Sequence, residues 1–324
     1  MDLNTFIVII TYNSADYIEN CFDSINISCN RNCFLAVIDN NSRDGTEVKI
    51  QNFISSSGEF NENNFKFIKL NINIGFAAAV NFAVFNFLLK ERAEPLQNIE
   101  YLVLLNPDIV LESGSISNLI KTFKLAKSGN SFETDKAIGV AGGLIYNYDK
   151  NKIQHTGGAF RDNFITYHLI NPSSSKYLPG YVTGALFATK ISYFVSLGGF
   201  DSGYRPVYFE ELDYCLKIKK MGLSIIVNPE VKAKHYGAAS IKKFSPNFYR
   251  YYHKNRIRCA ILNLSLVLFF KKFFPAEIKW LKNEATQDQC KPLLYSYFLN
   301  FLFLPYNLII RLKNYLRFNN LKFK

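Results

Sequence analysis

Chemistry in this chain is concentrated where apolar runs break. The stretch LLNPDIVL, Leu104 to Leu111, starts as a buried strand should, stops at Asn106, Pro107 and Asp108, then turns apolar again. Similar breaks follow other runs: Thr11-Tyr12-Asn13-Ser14 after TFIVII, Asp39-Asn40-Asn41-Ser42 after CFLAVID, and Asn71-Ile72-Asn73 after FKFIKL. Helix capping explains any one of these, because Asn, Asp and Ser ahead of a helix satisfy free backbone N–H groups. Four such ends, rich in Asn, Asp and Thr and bearing two carboxylates, are better explained by a cleft for a polar ligand.

The elements that must position these residues alternate. Short β-branched runs predict buried strands at Thr5 to Ile10, Cys33 to Asp39, Phe65 to Leu70, Tyr101 to Asn106 and Ala137 to Gly143. Helical stretches lie between them, about Ala15 to Ile27, Gly45 to Ile54, Phe76 to Leu89 and Ser113 to Lys127. This order predicts an α/β fold with a mostly parallel central sheet covered on both faces. Ligands of such sheets bind outside the carboxyl ends of the strands, the edge where all four polar breaks fall.

Composition divides the chain. The 324 residues, 48% hydrophobic, can bury one large core with an appendage, or two domains. Residues 1 to 240 carry 22 Lys+Arg against 23 Asp+Glu, whereas residues 241 to 324 carry 16 against 3, so the net +12 belongs to the tail. An excess confined to one end implies a local anionic partner. The tail is also apolar, in LSLVLFFKKFF (Leu264 to Phe274) and LLYSYFLNFLFLPYNLIIRLK (Leu293 to Lys313). The second run approaches a bilayer span in length, but Ser296, Asn300, Pro305 and Asn307 interrupt it. Helices lying in the membrane interface are therefore expected, with a bundle packed on the core as the alternative. So many aliphatic residues beside the charges argue against nucleic acid. Met1-Asp2-Leu3-Asn4 lacks a basic start and Phe6 to Ile10 is too short for an export segment, so a cytosolic protein with six unpaired cysteines is expected.

In order along the chain, VIITYNS (Val8 to Ser14), VIDNNSRDGT (Val37 to Thr46), NINIGFAAAVN (Asn71 to Asn81) and LLNPDIVL resemble the inverting glycosyltransferases of family 2, with the GT-A fold. The pattern is similar to that of rhamnosyltransferase-like bacterial members. It continues through GALFATKISYFVSLGGFDSGY (Gly184 to Tyr204), YFEELDYCLKIKKMG (Tyr208 to Gly222) and VKAKHYGAAS (Val231 to Ser240). The resemblance implies a catalytic domain over 1–240, its nucleotide-binding half about 1–110 and its acceptor-binding half about 111–240. Residues 241–324 form a basic, aromatic, helical extension, expected to be peripheral on the inner face of the cytoplasmic membrane.

By that resemblance Asp108 and His235 are the protein ligands of Mg2+ or Mn2+, although Asn106 stands where the commoner pattern has an aspartate. Thr11, Tyr12, Asn13, Asp39, Asn71, Gly75 and Asn106 line the nucleotide, and an Asp39 carboxylate suits the N3–H of uracil or thymine. In FEELD, Glu210 and Asp213 share a helix face while Glu211 points about 100° away. The family position of the general base falls on Glu211, with Gly199, Asp201 and Glu210 on the acceptor side. The implied activity is sugar transfer, dTDP-rhamnose before a UDP-hexose, to a lipid-linked or lipopolysaccharide glycan in surface polysaccharide (O-antigen) synthesis. A membrane-attached binding protein that has lost catalysis is the competing expectation. A nucleotidyltransferase is disfavoured because TYNSADY lacks a glycine-rich, basic phosphate loop. Oligomeric state is left open.

Overall fold

The structure, a computed structural model, describes residues 4–28, 33–58, 60–61, 63–91, 96–125, 136–149, 152–171, 179–237 and 244–322. The first half comprises β1 (Thr5–Thr11), α1 (Ile18–Ser28), β2 (Cys33–Asp39), α2 (Thr46–Ser56), β3 (Phe65–Lys69), α3 (Phe76–Asn81), which runs on as π-helical turns over Phe82–Leu88, and β4 (Tyr101–Leu105). Then follow β5 (Ile109–Leu111), α4 (Ser115–Leu125), β6 (Ile138–Asn147), β7 (Ile153–His155), β8 (Gly158–Phe160), β9 (Thr166–His168) and β10 (Leu186–Lys190). The chain continues through α5 (Ile191–Ser196), α6 (Glu210–Lys220), β11 (Ser224–His235) and α7 (Pro246–Asn263), and ends in α8 (Phe274–Asn283), α9 (Gln287–Leu302) and α10 (Leu304–Lys322).

The main sheet runs β3-β2-β1-β4-β10-β6-β11-β5, with β7 beside β6. Its first half, β3 to β4, is wholly parallel. Beyond β4 the sheet is mixed: β10 runs against both β4 and β6, and β5 runs against β11. Every residue of β1 is buried because successive side chains enter different cores. Phe6, Val8 and Ile10 face the layer of α3, α6 and α7, while Ile7 and Ile9 face the layer of α1, α2 and α4. A strand covered on both faces must read as a continuous apolar run, which is the pattern of TFIVII.

Two expectations need correction. Cys33 is disulfide-bonded, so not every cysteine is a free thiol. Spacing alone could not reveal this, because pairing depends on the approach of Cα atoms in three dimensions. Cys21, Cys215 and Cys259 are buried thiols as expected. The tail's basic excess, read as meeting a local anionic partner, is not all at the surface, because Arg256 and Arg258 of α7 are buried. Ser245 caps this helix by accepting from Phe248 N at 3.2 Å, with Pro246 in its first turn. Ile257, Cys259 and Ala260 of α7 share the core cluster of the sheet. Among the described residues no single helix is long and apolar enough to cross a membrane; α9 and α10 pass that test only as a pair, bent by 65°.

Candidate active site

The turn at Asn106-Pro107-Asp108 lies between β4 and β5. Asn106 N donates to Ala185 O at 3.1 Å, and Ile109 N to Asn106 O at 3.3 Å. Because β5 pairs with the end of β11, Ile109 stands opposite His235, and Tyr236 N donates to Asp108 O at 3.1 Å. This ladder brings His235 Nε2 to 3.1 Å from Asp108 Oδ1, although 127 positions separate them. On its other side, His235 Nδ1 lies 2.9 Å from Gln154 Oε1. With the Gln154 amide assigned in this orientation, Nδ1–H is the donor, and a neutral ring aims its Nε2 lone pair at the Asp108 carboxylate. Two acceptors at that distance attract only through a proton or a cation between them. No motif marked Gln154 beforehand.

At the neighbouring strand ends Asp39 is fully buried. Its Oδ1 accepts from Thr11 Oγ1 at 2.8 Å and from the Ser42 hydroxyl, and its Oδ2 from Ser42 N at 2.9 Å. A carboxylate offers about four acceptor positions, so this bonding leaves capacity for one further donor. Asn13, at φ 52°, accepts from Arg43 N through Oδ1 at 2.9 Å, tying the loops after β1 and β2 together. Tyr12 and Asn71 are exposed beside them. Gly75, at φ 86° and ψ 162°, turns the chain into α3. A Cβ there would lie 3.0 Å from Pro206 O, which also accepts from Phe76 N at 2.9 Å. Backbone of this kind is essentially restricted to glycine, so Gly75→Ala is expected to cost about 1–3 kcal/mol of stability, seen as a lower urea midpoint.

The acidic cluster begins α6. Asp213 pairs with Lys217 at 2.7 Å and accepts from Asn263 Nδ2 at 2.6 Å, so its charge is committed to the fold. Glu210 and Glu211 each keep a buried Oε2 with no hydrogen-bond partner among the described residues. Burial raises both carboxyls above the usual range, and for Glu210 the neighbouring Glu211 charge adds to the effect. Glu211 Oε1 faces Gly184 N at 3.5 Å, the outer edge of hydrogen-bond range. Gly184 precedes Ala185, whose carbonyl holds Asn106, so one short loop spans from Glu211 to the Asn-Pro-Asp turn. Glu210 and Glu211 follow Tyr208 at φ 83° and Phe209 at φ 78°, a left-handed conformation that bulky residues adopt only when held. Asn255 of α7 holds it, donating to Val207 O at 2.8 Å and Tyr208 O at 3.1 Å. A family motif opens on Gly184 but assigned it no role, and nothing in the sequence pattern marked Asn255.

The remaining acceptor-side candidates make contacts within the fold. Asp201 accepts from Arg258 Nη2 at 2.7 Å and from Gly203 N at 2.8 Å. Gly199, at φ 74°, packs on α3, where a Cβ would lie 2.3 Å from Asn81 Oδ1.

The family model of glycosyl transferase family 2 matches residues 6–176, more than half of the chain. Rhamnosyltransferase WbbL of Escherichia coli (strain K12) is 26% identical over 192 residues, covering 57% of this chain and 69% of that protein. Among solved structures, GalNAc-T7 with UDP, GalNAc and Mn2+ is similar with a TM-score of 0.60 at 16% identity, over 80% of this chain and 48% of that chain, so the chain spans about half of it. TarS residues 1–349 of S. aureus, in complex with UDP-GlcNAc, gives a TM-score of 0.56 at 14% identity over 90% of this chain and 79% of that one. At such identities the likeness concerns the fold, which is GT-A with a C-terminal helical region. Ordered motifs, sheet topology and the family match agree, and the chain belongs to glycosyl transferase family 2 as a glycosyltransferase.

Proposed function

We propose that this enzyme transfers a sugar with inversion from a nucleoside diphosphate donor to a lipid-linked glycan, in assembly of a bacterial surface polysaccharide at the cytoplasmic membrane face. The donor is dTDP-rhamnose first, in keeping with the rhamnosyltransferase relative, and a UDP-hexose second. The observation that supports this reading best is the single loop, Gly184-Ala185, that joins buried Glu211 to the turn bearing Asp108.

Asp108 and His235 are the residues that would hold a divalent cation. Their donor set fits: a hard carboxylate oxygen and an imidazole nitrogen converge, 3.1 Å apart. Two protein donors would leave room for diphosphate oxygens and water, the usual arrangement for Mg2+. A bound cation offsets the charge that grows on the departing diphosphate. Asn106 adds a neutral amide beside them and no charge. Asp39 accepts the base N3–H with its remaining lone pair, Thr11 and Ser42 hold that carboxylate still, and Tyr12, Asn13, Asn71 and Gly75 line the nucleotide.

Glu211 takes the proton of the acceptor hydroxyl as its oxygen attacks the anomeric carbon opposite the leaving nucleoside diphosphate. One displacement inverts the anomeric configuration. Glu210 lies on the acceptor side, and its burial beside Glu211 favours the protonated form.

Removing Gln154 should disturb the orientation of His235. Gln154→Ala is expected to weaken Mn2+ affinity by about 10- to 100-fold, measured by calorimetric titration in the presence of nucleoside diphosphate. The decisive experiment for the function is a thermal-shift screen of sugar nucleotides with and without Mg2+ or Mn2+. A true donor at 100 times its Kd adds about 2.7 kcal/mol and raises the midpoint. No shift with any sugar nucleotide under either metal defeats the transferase reading. Binding without turnover, unaltered by Glu211→Gln, favours the inactive binding protein.

A further inference from the structure

The terminal helices are amphipathic in the inverted sense. Buried positions of α9 are Leu293, Ser296 and Asn300, a stripe at helical spacing that is mostly polar, and α10 continues it with buried Asn307. These polar groups fasten the helices to the catalytic core. Ser296 Oγ donates to Arg250 O at 3.2 Å, Asn300 Nδ2 to Lys254 O at 2.9 Å, and Arg311 to Ile261 O at 3.1 Å. Arg258 reaches Asn307 Oδ1 on one side and Asp201 on the other. The opposite faces are apolar and uncovered: Phe298 is 61% exposed, Phe301 77%, Phe303 52% and Ile309 53%. Of the 26 exposed large hydrophobics among the described residues, 19 lie between Leu266 and Leu316, so this surface is one regional feature and not scattered exposure.

We propose that this outer face of α9 and α10, together with the exposed apolar side chains of Leu266 to Phe274, lies in the interface of an anionic phospholipid bilayer and enters one leaflet without crossing it. The helices bend by 65° at their break, and neither alone is both long and apolar enough to span, which suits a bent pair lying in the plane of the membrane. Charge selects the occupant. Arg256 and Arg258 of this region are buried, but Lys271, Lys279, Lys282, Lys291 and Lys313 are exposed. A second copy docked on this face would bring two such basic regions together, whereas anionic headgroups neutralise them. The inference rests on the reading that the acceptor is membrane-borne. It adds which surface docks and how: the polar inner stripe faces the enzyme and the apolar outer stripe faces lipid, so Arg258 joins the docked helix pair to the Asp201 loop.

The test uses flotation of the full chain with vesicles of phosphatidylcholine alone and of phosphatidylcholine mixed with phosphatidylglycerol. The chain is expected to float with the mixed vesicles and much less with the neutral ones. Substituting Phe298→Glu, Phe301→Glu and Phe303→Glu together should lower the bound fraction by at least about tenfold. Lys271→Gln with Lys279→Gln should cost about fivefold per residue on anionic vesicles only. All substituted side chains are exposed, so unchanged thermal unfolding and an unchanged donor-induced shift control for folding. Equal flotation of native and triply substituted chains overturns the proposal. So does a native dimer, by sedimentation, that the phenylalanine substitutions dissociate while vesicle binding is absent. Vesicle binding intact in a chain that no sugar nucleotide shifts counts against the transferase reading alone, and a donor shift without vesicle binding counts against the docking alone.

Discussion

Replacing Glu211 by glutamine is expected to lower kcat by about 10²- to 10⁴-fold, the usual contribution of a positioned general base. KM for the donor should change little, because the amide still accepts from Gly184 N and the Asp108–His235 pair is untouched. The substitution should not destabilise the fold. Burial raises the Glu211 carboxyl above its ordinary range, so in the native chain its charged form is disfavoured. A carboxyl raised on folding holds its proton to higher pH than in the unfolded chain. Its stabilising effect is therefore present below the unfolded pKa and lost as pH rises through the folded one. Glutamine removes that loss, and the unfolding midpoint near neutral pH should stay level or rise. Activity has the opposite dependence: the base works deprotonated, so kcat/KM should fall with decreasing pH, at a pH above that of an ordinary glutamate. Undiminished turnover by the glutamine variant would remove Glu211 from the role of base.

The second large effect is on stability. Glu277→Ala is expected to cost about 3–5 kcal/mol, because it strands a buried guanidinium. Arg256 is fully buried on α7; its Nη1 donates to Glu277 Oε2 at 2.7 Å and to Asn163 O at 2.6 Å, and its Nη2 to Glu277 Oε1 at 2.5 Å. Asn163 Nδ2 at 3.0 Å and the Tyr297 hydroxyl complete the shell of Glu277. The network thereby joins α7, α8, α9 and the turn between β8 and β9. Replacing both partners, as in Arg256→Met with Glu277→Leu, should cost clearly less than the sum of the single losses, since neither charge is then left alone. Urea unfolding of the three variants measures this. Additive losses would mean that the two residues act independently.

The same network takes part of the tail's charge away from the surface. Sixteen basic residues after position 240 look like one anion-seeking surface, yet Arg256 and Arg258 are directed inward by Glu277 and Asp201. Those carboxylates lie 21 and 57 positions away, beyond the reach of local charge pattern. The expected choice between a packed bundle and a lipid-facing helix also had a physical flaw, since a helix has two faces. The inner stripe of α9 packs on the enzyme while its outer stripe is left bare. Membrane contact by that outer stripe remains a proposal.

Much was legible locally. The strands of the first half could be read from β-branched apolar runs, since burial on both faces leaves no other composition. The polar strand ends could be read as a ligand edge, since every parallel strand delivers its carboxyl end to the same side. The sequence alone thus determined the α/β class, the family motifs, and the position of Asp39 and Asp108 at the sheet edge. Tertiary structure decided what those residues meet. The antiparallel pairing of β5 with β11 sets His235 against Asp108, and Gln154 arrives from β7. Asn255, from a helix beyond the sheet, holds the left-handed turn ahead of Glu211. Motif spacing encodes side chains along one element, whereas register between distant strands is settled only when both cores close around them.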